Sequence, residues 1–203
     1  MTIAPGTRAF YDEWSATGVE AAHSAISRHF ASAFEPGARV LDVGCGRGRD
    51  LAVLLEMGFD AWGVEPHDAM RARALERHPH LAGRIAAVSL PAIGQPFGGG
   101  FDAIVCSAVL MHLSEDALPA SLAALDAVLR PRARVLMAVP EMQAGLLVDG
   151  RDPDGRAFAN HAPEQVRRSM AELGFALAHR EELATPSTDT RWRVLLFDRA
   201  AID

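Results

Sequence analysis

VLDVGCGRGRD, residues 40–50, sets an apolar run carrying one aspartate, Asp42, directly before Gly44, Gly46 and Gly48. An apolar run with β-branched residues that stops at a glycine cluster reads as a buried strand entering a loop. Glycines let such a loop turn at positive φ and bring bare backbone against a ligand. It can cradle a dinucleotide pyrophosphate, a nucleoside triphosphate or a nucleoside sulfonium, or simply make a tight turn. The spacing is G-x-G-x-G, not the G-x-G-x-x-G of the dinucleotide fingerprint. A carboxylate two residues before the first glycine is poorly matched to an anionic pyrophosphate and suits a ligand with a cationic end. Asp42 can also merely order the turn, as aspartate often does.

Outward from this stretch, strands and helices alternate. The strand covers 38–43, and a helix follows through RDLAVLLEMG, closed by Gly58. DAWGVE (60–65) is the next strand, HDAMRARALERH (67–78) the next helix, and RIAAVS (84–89) a third strand. After the turn FGGGFD (97–102), FDAIVCSAVL (101–110) reads as the central buried strand. SEDALPASLAALDAVLR (114–130) is a helix with Ser114 as its N-cap and an acidic first turn. ARVLMAVP (133–140) is another buried strand, and PEQVRRSMAELG (163–174) another helix. Two last strands, near 175–183 and 191–198, are joined by the turn-prone TPSTDT and pair as an antiparallel hairpin at the sheet edge. Upstream, residues 19–34 show apolar positions at helical spacing. The alternation predicts an open, mostly parallel α/β sheet covered by helices on both faces. Only the polar, glycine-rich piece 141–162 interrupts it.

The chain has 203 residues, 49% hydrophobic and 23% charged, which suits one globular domain with a full core. No apolar run reaches the roughly 18–20 residues of a membrane span. The N-terminal MTIAPGTRAFYDEW lacks a basic region followed by an apolar one, so no secretory signal is expected. With two cysteines, Cys45 and Cys106, inside predicted buried elements, a cytoplasmic protein is expected. A net charge of −6 weighs against nucleic acid as the main partner. All 20 basic residues are arginines, so neither a lysine Schiff base nor a lysine-bearing phosphate loop is available. Tyr11 is the single tyrosine, which removes a Tyr/Lys hydride-transfer pair.

A second acid, Glu65, ends the strand that follows the glycine loop. A carboxylate at that point can accept two hydrogen bonds from a ribose diol. It can also be an ordinary solvated loop glutamate. Taken in order, VLDVGCGRGRD, GVEPHDAM, FDAIVCSAVLMHL and LRPRARVLMAVP resemble the successive motifs of class I S-adenosylmethionine-dependent methyltransferases. GCGRGRDLAVLLEMGFDAWGVE is similar to small bacterial members, including the tellurite-resistance type. The resemblance runs from about 36 to 140, and the closing helix and strand pair fit that family's Rossmann-like three-layer sandwich. It implies a seven-stranded, mostly parallel sheet with an antiparallel C-terminal strand, in a single domain spanning 1–203.

The resemblance also implies a cofactor, S-adenosylmethionine, and places it residue by residue. Gly44, Cys45, Gly46 and Gly48 would wrap the methionine moiety and ribose, with Asp42 near the cationic amino group. Glu65 would hold the ribose hydroxyls and Pro66 would pack on the adenine. Where the family usually has an acid after the third strand, this chain has Ser89, so the backbone at Leu90 is the expected substitute. Cys106 and Ser107 would flank the methionine end, and Arg49 would pair with the methionine carboxylate or with a helix neighbour. Tyr11, with Phe10 and Trp14, lies in the segment 1–34, which in the family often closes over the cofactor as a helical lid. Apolar packing of a helix there explains the same residues.

Methyl transfer chiefly needs alignment, and a base only where the acceptor loses a proton as it attacks. His112 follows the central strand and is the candidate base; a structural turn bonded to nearby backbone is the competing reading. The pair His78 and His80 lacks further ligands in suitable spacing, so no metal is expected. The long loop 141–162, with Asp149, Arg151, Asp152 and Arg156, is the expected place of acceptor recognition. The expected acceptor is a small molecule offering oxygen, nitrogen or sulfur. Two other readings stay open, a non-catalytic S-adenosylmethionine-binding module and a nicotinamide-dependent oxidoreductase.

Overall fold

The computed structural model describes residues 3–17, 24, 26–143, 145–183 and 190–199. Its strands are β1 (Arg39–Val43), β2 (Asp60–Val64), β3 (Ile85–Ala86), β4 (Phe101–Ser107), β5 (Leu129–Met142), β6 (Phe175–Leu183) and β7 (Thr190–Arg199). They form one seven-stranded sheet in the order β3-β2-β1-β4-β5-β7-β6. β1 to β5 pair in parallel, and β7 runs antiparallel to both β5 and β6. The C-terminal hairpin is therefore folded into the sheet with β7 inside and β6 at the edge.

The helices are α1 (Pro5–Ala16), α2 (Phe30–Ala33), α3 (Arg49–Glu56), α4 (Asp68–Arg77), α5 (Leu118–Asp126) and α6 (Pro163–Glu172). Two cores lie on the two faces of the sheet. On one face, Leu41, Val43, Ile104 and Val135 pack with Leu118, Leu122 and Leu125 of α5 and Val166 and Met170 of α6. On the other, Val40, Ala103, Val105 and Leu136 pack with Leu51 and Leu54 of α3 and with Phe30 and Phe34. Alternate residues of β1, β4 and β5 thus bury on opposite faces, so these strands read as continuous apolar runs.

Several elements differ from their sequence-based bounds. The central strand stops at Ser107, because Ala108 takes φ +58, and Leu110–His112 forms a short 3-10 turn. β3 is only two residues long, and α5 starts at Leu118, after a 3-10 turn over Glu115–Ala117. Within 19–34, the helical residues are Ser27–His29 and Phe30–Ala33, while 18–23 and 25 lie outside the described residues. The expected turn TPSTDT also falls outside them, apart from Thr190. The strand order reverses at β1, whose neighbours are β2 and β4, so ligands are expected beyond the carboxyl ends of these strands. No helix among the described residues is long and apolar enough to cross a membrane.

Candidate active site

A cavity of about 650 Å³ opens beyond the ends of β1, β2 and β4. Its floor is the glycine loop. Gly44 and Cys45 both donate their N–H groups to the Val64 carbonyl, at 2.8 and 3.1 Å, which folds the loop over the end of β2. Gly44 has φ +69, and a Cβ there would lie 2.5 Å from Val109 Cγ2. Gly48, at φ +79, caps the start of α3, and a Cβ there would meet Leu81 Cδ1 at 2.6 Å. Gly48 does not line the cavity; its task is close packing of α3 against the region that follows α4.

Two carboxylates stand in this floor. Glu65 is buried and accepts the N–H groups of Gly46 (Oε2, 3.0 Å) and His67 (Oε1, 2.8 Å). Burial raises its pKa, and these two backbone donors oppose the rise. Asp42 is only 3% exposed, and its Oδ2 has no hydrogen-bond partner. Burial, with the nearby charge of Asp50 adding to it, pushes the Asp42 carboxyl well above its usual range. A buried, unpartnered carboxylate oxygen at a cavity wall is costly unless a donor or cation arrives.

The other expected residues divide. Tyr11, Cys45, Gly46, Arg49, Pro66, Ser89, Leu90, Ser107 and His112 all line the cavity. Arg49 Nε lies 3.3 Å from Asp50 Oδ1, so its partner is the helix neighbour. Cys106 does not reach the cavity. Its side chain belongs to the core on the α5–α6 face, where burial pushes the thiol up to about 12. Strand alternation sends neighbouring side chains to opposite faces, and here Ser107 is the one that lines the cavity. His78 and His80 have ring centroids 5.9 Å apart. Far from the cavity, His29, His179 and Glu181 cluster on β6 and the turn before α2, with Glu181 also paired to Arg28.

The roof is α1 together with the loop after β5. Arg47 is buried under α1, with its guanidinium 3.6 Å from the centroid of the Trp14 ring and NH1 donating to the Thr17 carbonyl (3.0 Å). A cation beneath the last carbonyls of a helix also complements its dipole. His67 Nδ1 accepts the Met70 N–H at the start of α4, which leaves Nε2 to donate to the Arg8 carbonyl (3.2 Å). Thr7 Oγ1 accepts the Ala157 N–H (2.8 Å), which pins the loop onto α1. Asn160 clamps the base of that loop through both backbone groups of Met142 (2.8 and 2.9 Å). Arg47, His67, Thr7 and Asp50 escaped the sequence reading. Arg47, His67 and Thr7 meet partners on other elements, and a single chain shows no spacing that links them.

His112 joins floor to roof. Its Nδ1 lies 2.9 Å from the Ala157 carbonyl and its Nε2 2.9 Å from the Tyr11 hydroxyl. A carbonyl can only accept, so Nδ1 carries the proton and Nε2 accepts from Tyr11. Burial lowers the His112 pKa, which keeps the ring neutral near pH 7. Burial likewise raises the Tyr11 pKa, while Arg156 works against that rise. Arg156 stacks over Phe10 at 4.4 Å and is paired with Asp152 (2.6 Å) and Asp154 (3.3 Å). His112 is therefore bonded through Nδ1 to the backbone of the loop after β5, 45 residues away and not in its own turn, and through Nε2 to Tyr11 at the cavity.

The fold and this site define a class of nucleoside-binding α/β protein, and comparison with known proteins names the family. The methyltransferase-domain family matches residues 11–180. The chain belongs to it, among the class I S-adenosylmethionine-dependent methyltransferases. It is 38% identical over 109 residues to the protein-L-isoaspartate O-methyltransferase of Methylorubrum extorquens (strain PA1), covering 54% of this chain and 45% of that one. It is 37% identical over 79 residues to the glycine N-methyltransferase of Oryctolagus cuniculus, covering 34% of this chain and 27% of that one. The matches thus span less than half the length of either relative. Among solved structures, the 1,6-didemethyltoxoflavin-N1-methyltransferase of Burkholderia thailandensis has a TM-score of 0.72 at 23% identity, covering 96% of this chain and 84% of that one. A TehB-like methyltransferase from Corynebacterium glutamicum has a TM-score of 0.67 at 21% identity, covering 96% and 98%. At these identities, the two structures speak for the fold.

Proposed function

We propose that the protein transfers a methyl group from S-adenosylmethionine to a small-molecule acceptor. The observation that carries the reading is the pair of buried carboxylates, Asp42 and Glu65, flanking one glycine loop in one cavity. The residues present fit the cofactor. The unpartnered Asp42 Oδ2 suits a cationic amino group, and each Glu65 oxygen keeps a lone pair for a ribose hydroxyl beyond the N–H it already accepts. Gly44 and Gly46 would lie against the amino-acid and ribose portions, and Pro66, Ser89 and Leu90 beside the adenine. When bound, S-adenosylmethionine supplies a methyl carbon on a positive sulfur, and the carbon–sulfur electron pair stays with sulfur as the acceptor bonds to the carbon.

The chain's own share is alignment and, for an acceptor with an acidic X–H, removal of the proton. His112 Nε2 takes that proton, exchanging its hydrogen bond from Tyr11 for one from the acceptor. Nδ1–H stays on the Ala157 carbonyl, which holds the ring in place as the charge forms. α1 and the loop after β5 form the roof over the place where the reacting atoms would meet. Calorimetry with S-adenosylhomocysteine and with NAD tests the reading. Binding of the first and not of the second is expected; tight NAD binding alone would sink it.

A further inference from the structure

The two walls of the cavity differ in charge. Among the described residues, the five charged ones that line the cavity, Asp42, Arg47, Arg49, Asp50 and Glu65, belong to the end of β1, the glycine loop, the start of α3 and the residue after β2. The opposite wall comes from α1, the turn after β4 and the loop after β5. Among the described residues, its lining holds no Asp, Glu, Arg or Lys. It is made instead of side chains such as Val109, Met111, Leu113 and Phe158, with neutral His112 and Tyr11 as its polar point. Met111 and Phe158 pack with Met142 in a small apolar cluster that gives this wall its firmness. Behind it, Arg156 is already paired with Asp152 and Asp154.

Resting on the methyl-transfer reading, we infer that the acceptor is an uncharged, largely apolar molecule with one weakly acidic O–H, S–H or N–H group. A carboxylate or phosphate brought to this wall would lose its water and find no cationic side chain on it in return. An ammonium group would likewise find no carboxylate on the acceptor wall. A flat apolar body finds Met and Phe surfaces, and its single X–H finds His112 Nε2. As the acceptor atom bonds to the methyl carbon, its proton passes to that nitrogen.

The full chain is assayed for S-adenosylhomocysteine release with matched pairs that differ by one carboxylate. These are methyl 4-hydroxybenzoate against 4-hydroxybenzoate, 4-methylthiophenol against 4-mercaptobenzoate, and indazole against its 3-carboxylate. Glycine and an isoaspartyl peptide serve as charged comparators. The expected result is turnover of at least one neutral member, ahead of its carboxylate partner by about tenfold or more in kcat/KM. Ser114 lies on the exposed rim of the neutral wall, so Ser114→Arg is expected to move that ratio toward the carboxylate by about tenfold, with S-adenosylhomocysteine affinity kept. Methylation of glycine or the peptide, a carboxylate matching its neutral partner, or an unmoved ratio in Ser114→Arg overturns the inference. So does a failure of every neutral member in protein that binds S-adenosylhomocysteine. Protein that binds no S-adenosylhomocysteine at all takes down the methyl-transfer reading, and the inference with it.

Discussion

Replacing Asp42 by Asn separates the stability of this fold from its proposed use. In the ligand-free protein Asp42 is buried, its Oδ2 lacks a partner, and burial with Asp50 nearby raises its pKa well above 3.8. The native state therefore holds this proton more tightly than the unfolded chain. The stability linked to the proton is complete below the unfolded carboxylate range and is lost as pH rises through the native pKa. Each unit of such a shift corresponds to about 1.4 kcal/mol. At pH 7.5 an isosteric neutral amide escapes this cost, and an unsatisfied buried polar group of this kind is worth about 1–3 kcal/mol. For a chain of this size that is a Tm higher by about 2–12 °C in Asp42→Asn without ligand. With saturating S-adenosylmethionine the order reverses. Loss of a charge-assisted hydrogen bond, about 1.5–3 kcal/mol, weakens binding by roughly 10- to 150-fold. Thermal unfolding of both proteins at pH 5 and 7.5, with and without ligand, reads all of this. A ligand-free variant that melts below the wild type at pH 7.5, or binds as tightly, refutes the reasoning.

Three further outcomes follow from particular contacts. Glu65→Gln offers one oxygen where two N–H groups now find acceptors, so calorimetry should show binding of S-adenosylhomocysteine at least about tenfold weaker. Gly48→Ala should lose about 2–4 kcal/mol in urea unfolding, because φ is +79 and the new Cβ meets Leu81, while the cavity stays intact. With a weakly acidic acceptor, turnover should rise through a pKa below 6.5 and then level off, because burial depresses that of His112 and only the neutral ring accepts a proton. His112→Ala should remove this limb and slow turnover by about 10²–10⁴-fold, whereas an unchanged pH–rate profile would give the proton to another group.

The central strands were legible because β1, β4 and β5 bury both faces, which leaves unbroken apolar runs that composition alone exposes. The hairpin was legible for its pairing and not for its place. Which strand of a hairpin joins β5 is decided by contacts between distant segments. Asp42 and Glu65 could be found because each ends a strand beside the loop, at a distance along the chain that the βαβ unit itself sets. Cys106 and Gly48 show the limit of that logic. Both sit in the right motif, yet one side chain enters the core and the other position serves helix packing.

By itself, the sequence determined the sheet, the glycine loop and the acids at its rim, since local periodicity and short-range spacing encode these directly. It left His112 with two readings and the segment 141–162 as a long charged loop expected to meet the acceptor. Tertiary structure joined the two, by bringing Tyr11 and Ala157 to the two nitrogens of one imidazole. Among the described residues, it also put every lining charge on one wall of the cavity. Contacts between residues 45 and 101 positions apart depend on how helices and loops settle over the sheet. That is a property of the packed chain and leaves no local pattern behind.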